Sequence, residues 1–486
     1  MVGSVSELRG RIGELSPEKR RILEQQLLKR RAGNARAEAI RPRAPGEPFP
    51  FSFSQQRLWF LEQFSPGSSA YNATLTMRLD GRVDVDALSR AFDTLVARHE
   101  VLRTVADDVG GLPEPRILED AQVPLRRIDL RGPDGTASQE RIDAELQAET
   151  SRSFDLSRDV MVRVGLLQVG GESHLLHIVL HHIACDGWSR GVLFDELSAL
   201  YNAYSQDRAP DLPELRIQYG DFALWQQRWL QGQALATELD WWREYLAGAN
   251  TVLDLPTDHP RPAAQTFTGA RLQFTLSEEV TDAVREFGRQ ERTTVFMTGL
   301  AVLGILLSFE TGQDDILVGS PVANRQRAET EPLIGFFVNT LLFRVRMPGD
   351  PTVREVVRQA RENAIAAYSH QDVPFDKLVE VLRPRRHPGR NPLFQVNYRM
   401  QGPPPPPPQL TGLKTTRAPS AFSMARFDLA LGIVDTPTQL RGYVEYIAAL
   451  FERTTAQRLA DRFCELLGRA VTQPDLRLSE LRATPI

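Results

Sequence analysis

The sequence predicts an α/β protein, and three observations carry the prediction. Residues His174–Ile183 (HLLHIVLHHI) form an almost unbroken apolar run with β-branched members, the pattern of a strand buried on both faces. From Ser189 the spacing turns helical, with Leu193, Leu197, Leu200, Tyr201 and Tyr204 on one stripe. The second half repeats the alternation: helices over 278–290 and 294–309, then strands near 315–320 and 338–346. A chain of 486 residues suggests two or three domains.

The other elements follow in chain order. Residues 4–31 are charged and helical, with Leu8, Ile12 and Leu15 on one stripe and a helix start at Ser16-Pro17. Residues 32–50, rich in Ala, Arg and Pro, read as a linker. Leu75–Leu79 and Met161–Val169 read as strands, and Val85–Arg98 as a helix. Gly170-Gly171-Glu172-Ser173 has the look of a carrier-domain serine loop, but it lies between two apolar strand runs and predicts a hairpin turn. Trp225, Trp229, Trp241 and Trp242 lie on helical stretches and read as packing residues. Leu255–Pro262 predicts a stiff extended crossing, and the six prolines at 403–408 a polyproline II spacer. Phe427–Val434 and Leu440–Tyr446 predict a strand pair, and 454–471 a closing helix.

Composition narrows the function. Hydrophobic residues are 42% and charged residues 25%, ordinary for a globular protein. A net charge of -4 gives no reason to expect nucleic acid. No apolar run of about 18 residues and no signal peptide is seen, so no membrane span is expected. Two cysteines, Cys185 and Cys464, cannot build a disulfide framework and fit a reducing, cytoplasmic setting. There is no Walker loop and no Gly-x-Gly-x-x-Gly after a strand.

Chemistry points to His181-His182-Ile183-Ala184-Cys185-Asp186-Gly187. A histidine at a strand end can take or give a proton near neutral pH. Alternation puts His182 on the face of Leu176, Ile178 and Leu180, and His181 on the face of Leu175, His177 and Val179, so the two cannot share a job. Asp186 can hold the strand end in shape, and Gly187 permits a sharp turn. A metal site on His174, His177, His181 and His182 is disfavoured, because alternation scatters them over two faces and no Cys or carboxylate completes a ligand spacing.

With the whole chain in view, the sequence resembles the condensation domain of nonribosomal peptide synthetases. Seven motifs occur in the family's order: Ser52–Leu61 (SFSQQRLWFL), Arg98–Thr104 (RHEVLRT), His181–Ser189 (HHIACDGWS), Tyr219–Trp225 (YGDFALW), Ile334–Thr340 (IGFFVNT) with Arg344, His370–Asp376 (HQDVPFD) and Arg390–Gln395 (RNPLFQ). Asp376 stands where glutamate is more usual. The resemblance covers nearly all of the chain after residue 49. It implies two chloramphenicol acetyltransferase-like lobes forming a V, with the histidine motif in a tunnel between them. On that basis the chain divides into an N-terminal helical segment and linker (1–48), an N-terminal lobe (49–225) and a C-terminal lobe (226–486).

The resemblance also implies the reaction. Upstream donor and downstream acceptor arrive as thioesters on the phosphopantetheine arms of carrier domains, and the acceptor α-amine attacks the donor thioester. No metal, nucleotide or other cofactor is expected in the chain itself. His182 would hold the amine or accept its proton, and the Gly187 amide would polarise the carbonyl. Asp186 would pair with an arginine across the site, with Arg344 and Arg325 both candidates. His181 would pack on the opposite face and Cys185 would be a spacer. Trp188, Ser189 and Arg57 would support the site. His99, Trp59, Asp221, Trp225, Asn339 and Gln371 would shape the lobes.

Related types differ in recognisable ways. Heterocyclisation domains carry aspartates for the histidine pair, recruiting forms degrade the motif, and epimerisation domains differ in the flanking motifs. The segments at 54–61 and 389–396 look most like the type joining an L-donor to an L-acceptor. Two further readings stay open: a docking module that binds carriers without chemistry, and a stand-alone acyltransferase. Residues 474–481 (PDLRLSEL) resemble the link into an adenylation domain, which makes that domain an expected neighbour.

Overall fold

A computed structural model of the chain describes residues 39–64, 66–262, 268–384, 389–418 and 425–483. The expected helical segment over residues 4–31 falls within residues 1–38, which lie outside the described residues. From Pro48 onward the chain forms one compact unit.

The first lobe is built from α1 (Phe53–Phe64), β1 (Asn72–Asp80), α2 (Val85–Arg98), the hairpin β2 (Thr104–Val109) and β3 (Leu112–Ile117), β4 (Leu125–Asp129), α3 (Gln139–Ser151), β5 (Val162–Gln168), β6 (Ser173–His181) and α4 (Ser189–Tyr204). β6 runs beside β1 and β5, antiparallel to both. Its residues Leu175–His181 are all buried, as the unbroken apolar run predicts. α4 and α2 pack against each other. Leu193, Leu197, Leu200 and Tyr201 of the predicted stripe are buried, and Tyr204 is half-buried. α2 starts where Asp84 accepts from the Ala87 amide. The Gly170–Ser173 segment is the β5–β6 turn, and Ser173 Oγ donates to Asp80 at 2.6 Å.

α5 (Tyr219–Trp229) and α6 (Gly232–Tyr245) lead to the second lobe. The second half of the chain contains β7 (Gly269–Thr275), α7 (Glu278–Glu291), α8 (Val295–Thr311), β8 (Asp315–Val322), β9 (Asn339–Arg346), α9 (Val353–Ser369), α10 (Phe375–Leu382), β10 (Val396–Gln401), β11 (Lys414–Arg417), β12 (Leu429–Asp435), β13 (Leu440–Ile447), α11 (Arg453–Thr472) and α12 (Leu478–Ala483). Its six-stranded sheet has the order β7-β13-β12-β10-β8-β9. α8 is apolar on all sides and is buried in this lobe, starting at the Thr294 cap and stopping at Gly312, which has φ 74°. Among the described residues no single helix is long and apolar enough to cross a membrane, although the bent pair α7–α8 has the length and composition.

The division at residue 225 needs two corrections. It would cut α5, a continuous helix. The second half also returns to the first lobe: β11 adds to the edge of β1, giving the sheet order β11-β1-β6-β5-β4. The proline run is the bridge that carries the chain across. After it, Gln409 and Thr411 hydrogen-bond Ser198 and Asn202 on α4. The tryptophans also divide. Trp242 is fully buried, whereas Trp225 and Trp229 stack at 5.8 Å, partly exposed, with Arg327 4.2 Å from the Trp225 ring centre.

Candidate active site

The two lobes enclose a cavity of about 1720 Å³ whose wall includes His182, Asp186, Gly187 and Trp188 from the first lobe and Phe336, Thr340 and Arg399 from the second. β6 ends at His181, and His182 opens the turn that leads into α4. The His182 amide donates to Tyr71 O at 2.9 Å, so the bonding between β6 and the β1 side of the sheet reaches His182 itself. Gln55 in α1 supports the same turn by donating to Ile183 O at 3.0 Å.

His182 Nδ1 lies 3.0 Å from Cys185 O. A carbonyl oxygen can only accept, so Nδ1 carries the proton and Nε2 keeps its lone pair. Burial, then the nearby Arg426 guanidinium, hold the imidazole well below its ordinary pKa, with His181 and Arg190 adding to the effect against the Cys185 bond. The ring is therefore neutral at pH 7 and able to accept a proton. Phe336 packs 6.0 Å away, ring centre to ring centre.

His181 points to the other side, as alternation predicts. It is 2% exposed, packs edge-on against Phe154 at 5.7 Å, and accepts from the Ile183 amide through Nδ1 at 3.2 Å. Burial pushes its pKa down to about 3, and that of His177 to about 4. The sign follows from these depressed values: both rings stay neutral in the fold while the unfolded chain takes up protons below about 6.5. Their contribution is therefore complete above pH 6.5 and is lost as pH falls toward 4 and 3. At pH 5 each should cost about 2 kcal/mol. The decline in the urea midpoint between pH 7 and 5 should be shallower in His181→Asn, whose amide oxygen can replace Nδ1. An unchanged slope would contradict a buried neutral His181.

Asp186 is the hub of the junction. Its Oδ1 accepts from the Ser189 amide at 2.9 Å and lies 3.2 Å from Arg325 Nη2, and its Oδ2 accepts from the Phe337 amide at 3.1 Å. Ser189 Oγ lies 2.8 Å from Asp186 Oδ1 and 2.9 Å from Gly335 O, and accepts from the Gly335 amide at 3.1 Å. Gly335 can approach because it has no side chain: a Cβ there would lie 2.2 Å from the Tyr219 ring. Tyr219 Oη donates to Phe336 O at 2.6 Å, and His99 Nδ1 accepts from the Ile334 amide at 3.3 Å. Side chains from outside the second lobe's sheet thus hold the backbone of 334–337.

Of the two arginine candidates, the geometry selects Arg325. It also donates to Leu333 O at 2.7 Å and lies over the Phe337 ring at 4.0 Å. Arg344 is corrected out of the site: it pairs with Asp315 at 2.6 Å and donates to Tyr245 O and Ala247 O. On β9 it lies four residues beyond Thr340, roughly 13 Å further from the cavity at strand spacing. Gly187 is also corrected. Its φ is not in the left-handed region, and an added Cβ would meet only Arg190 Nη2, at 3.6 Å. No turn demands glycine here. Instead Gly187 is exposed on the cavity wall, and its N–H has no acceptor among the described residues.

Trp188 is 47% exposed and donates to Glu331 O at 3.0 Å, a further link between the lobes. Arg57 pairs with Asp376 at 3.2 Å on the cavity wall, where burial raises the Asp376 pKa against the pull of Arg57. Burial pushes the Cys185 thiol up to about 12, so it stays protonated. Asp221 caps its own helix, and Asn339 Oδ1 accepts from the Phe375 amide at 3.0 Å at the start of α10. Among the described residues no group of three His, Cys, Asp or Glu is placed to hold a metal ion. Tyr219 and Phe336 lie within two of the motifs but are not singled out by them, and Arg190 and Arg426 lie outside every motif. The contacts that bring Tyr219, Phe336 and Arg426 to the site are non-local.

Comparison with known proteins agrees with this architecture. The family model of the condensation domain matches residues 47–485. Phosphinothricin tripeptide synthetase PhsC of Streptomyces viridochromogenes is 40% identical over 98% of the chain, which spans 44% of that protein. Malpinin synthetase of Mortierella alpina is 41% identical over 86% of the chain, and the match spans 5% of that protein. Among solved structures, the X-domain from teicoplanin biosynthesis superposes with a TM-score of 0.83 at 28% identity, covering 91% of this chain and 99% of that one. The first condensation domain of the calcium-dependent antibiotic synthetase superposes with a TM-score of 0.72 at 19% identity, covering 90% and 99%, a likeness of fold. The chain belongs to the condensation-domain family of nonribosomal peptide synthetases.

Proposed function

We propose that this chain forms amide bonds between two aminoacyl or peptidyl groups presented as thioesters on the phosphopantetheine arms of carrier domains. The observation that carries the reading is the neutral His182 on the wall of a cavity shared by both lobes, its Nε2 and the nearby Gly187 N–H without a hydrogen-bond partner among the described residues. The acceptor nitrogen attacks the donor carbonyl carbon, and the carbon–sulfur bond breaks. The nitrogen's proton passes to His182 Nε2 and on to the leaving thiolate. The Gly187 N–H faces the oxygen that gains charge. Arg426 beside the ring opposes a lasting imidazolium and so favours return of the proton.

The partners follow from the same reading: an upstream donor carrier, a downstream acceptor carrier and an adjacent adenylation domain. The chain supplies no cofactor of its own in this scheme, and the arms come from the carriers. The segments at 54–61 and 389–396 favour an L-donor and an L-acceptor. A docking module without chemistry is the second reading, supported by the likeness to the teicoplanin X-domain, which has been solved in complex with OxyB. The intact histidine motif favours catalysis.

The test supplies loaded donor and acceptor carriers and follows product by mass spectrometry. Amide formation is expected without ATP and in the presence of a chelator. A free acceptor at the same concentration should react far more slowly, because the arm supplies reach and binding energy. Equal rates would indicate a stand-alone acyltransferase. No product from any loaded pair would favour docking.

A further inference from the structure

We infer that a second cavity, beside His182, is an apolar pocket for the side chain of one of the two reacting residues. This rests on the amide-forming reading above. The cavity is about 190 Å³ and lies between β1, β6 and the start of α4, lined by Ala73, Leu75, Leu180, Cys185, Leu193 and Ile334. Thr74, His182 and Gly187 border both this cavity and the large one.

The strand register explains its position. Ala73 pairs with Leu180 and Leu75 with Ile178, so these side chains share one face of the sheet. His182, bonded to Tyr71, continues that face, while His181 pairs with Asn72 on the other. The same alternation that aims His182 at the large cavity therefore opens this pocket next to it. β11 flanks β1 only over Met77–Asp80, so the Ala73–Leu75 stretch runs beyond it, and Ala73 and Leu75 are half-buried there. Protein interiors leave few voids larger than a water molecule. A void of this size against a reactive histidine is space kept for a ligand group.

The lining sets the chemistry. An apolar cavity of roughly 150 Å³ stays dry and takes up benzene. A pocket of 190 Å³ accordingly suits a branched aliphatic or aromatic side chain. A charged side chain is disfavoured, because an unpaired charge is costly to bury. Leu180, Leu193 and Ile334 offer it no partner. Asp186 and Ser189, at the wall, bond to Arg325, Gly335 and Phe337. Arg190 is exposed and stands on the rim shared with the large cavity.

The experiment uses the whole chain with loaded carriers in two arms. One arm varies the acceptor residue among leucyl, phenylalanyl, alanyl and aspartyl with a constant donor, and the other varies the donor. Single-turnover rates should favour leucyl or phenylalanyl over alanyl and aspartyl by about tenfold or more in one arm, which identifies the residue that enters the pocket. Ala73→Leu, which fills the pocket, should lower the phenylalanyl-to-alanyl ratio at least tenfold in that arm. Leu75→Ala, which enlarges it, should raise that ratio. A melting curve confirms folding of each variant, and the two opposed changes keep the test informative if one variant fails to fold. Unchanged ratios in the folded variants, or no apolar preference in either arm, would overturn the pocket while leaving amide formation standing. No product from any pair with the native chain would overturn the amide-forming reading, and the pocket with it.

Discussion

His182→Ala is expected to lower the single-turnover rate of amide formation by about 10²–10⁴-fold, the usual range for loss of a positioned acid–base group. The fold should survive. Among the described residues the side chain makes one hydrogen bond, to Cys185 O, and part of its surface faces the cavity. Losing such a bond costs about 1 kcal/mol. The large effect is expected in chemistry because, in the proposed reaction, Nε2 both receives the amine proton and returns it. His181→Ala is the internal control. It removes a ring packed on Phe154 and should lower stability more than rate. A near-native rate for His182→Ala, measured with a weakly basic acceptor, would exclude proton handling. Equal rate losses in the two variants would argue against the division of roles between the faces.

That division is legible in sequence because strand alternation is local. HLLHIVLHHI states both the burial of β6 and the opposition of His181 and His182, and the structure shows both. α2, α7, α8 and α11 are legible for the same reason, because their apolar residues are set within the helix itself. Elements held by distant partners are not. β11 (KTTR) is four residues long and polar, and it becomes a strand only by pairing with β1, more than 300 residues earlier. The hairpin β2–β3 carries Pro113 and Pro115 and alternates exposed with half-buried residues in β3, so no apolar run marks it.

The site shows the same limit. Sequence cannot separate Arg325 from Arg344, because an ion pair between residues 139 positions apart leaves no local trace. What separates them is backbone geometry. Asn324 adopts a left-handed conformation at φ 53° and turns the chain just before Arg325, in the segment after β8 where the lobes meet. Arg344 sits inside a regular strand and stays with its neighbour's Asp315. Gly187 reads as a turn residue in sequence because glycine most often serves backbone freedom. Here its value is the missing side chain on a cavity wall, which no spacing rule reveals.

Asp186→Ala and Arg325→Ala are each expected to destabilise the chain by about 3–5 kcal/mol, the range for removing one partner of a buried ion pair. Their side chains are 3% and 1% exposed, so neither charge can turn to water when the other is lost. Asp186→Ala strands the guanidinium and frees the amides of Ser189 and Phe337. Arg325→Ala strands the carboxylate and frees Leu333 O. Since both substitutions break one network, the double variant should lose much less than the sum of the single losses. Arg344→Ala supplies the contrast. It breaks the pair with Asp315 within the second lobe, so its loss should add to that of Asp186→Ala. Denaturant titration of the four variants and the Arg344 double variant measures both couplings. Additive losses for Asp186 and Arg325 would remove the strut between the lobes. Rate should fall along with stability in the Asp186 and Arg325 variants, because Asp186 anchors the turn that carries His182 and the Gly187 N–H. Lost stability with unchanged rate per folded molecule would mean that the turn holds its shape without the pair.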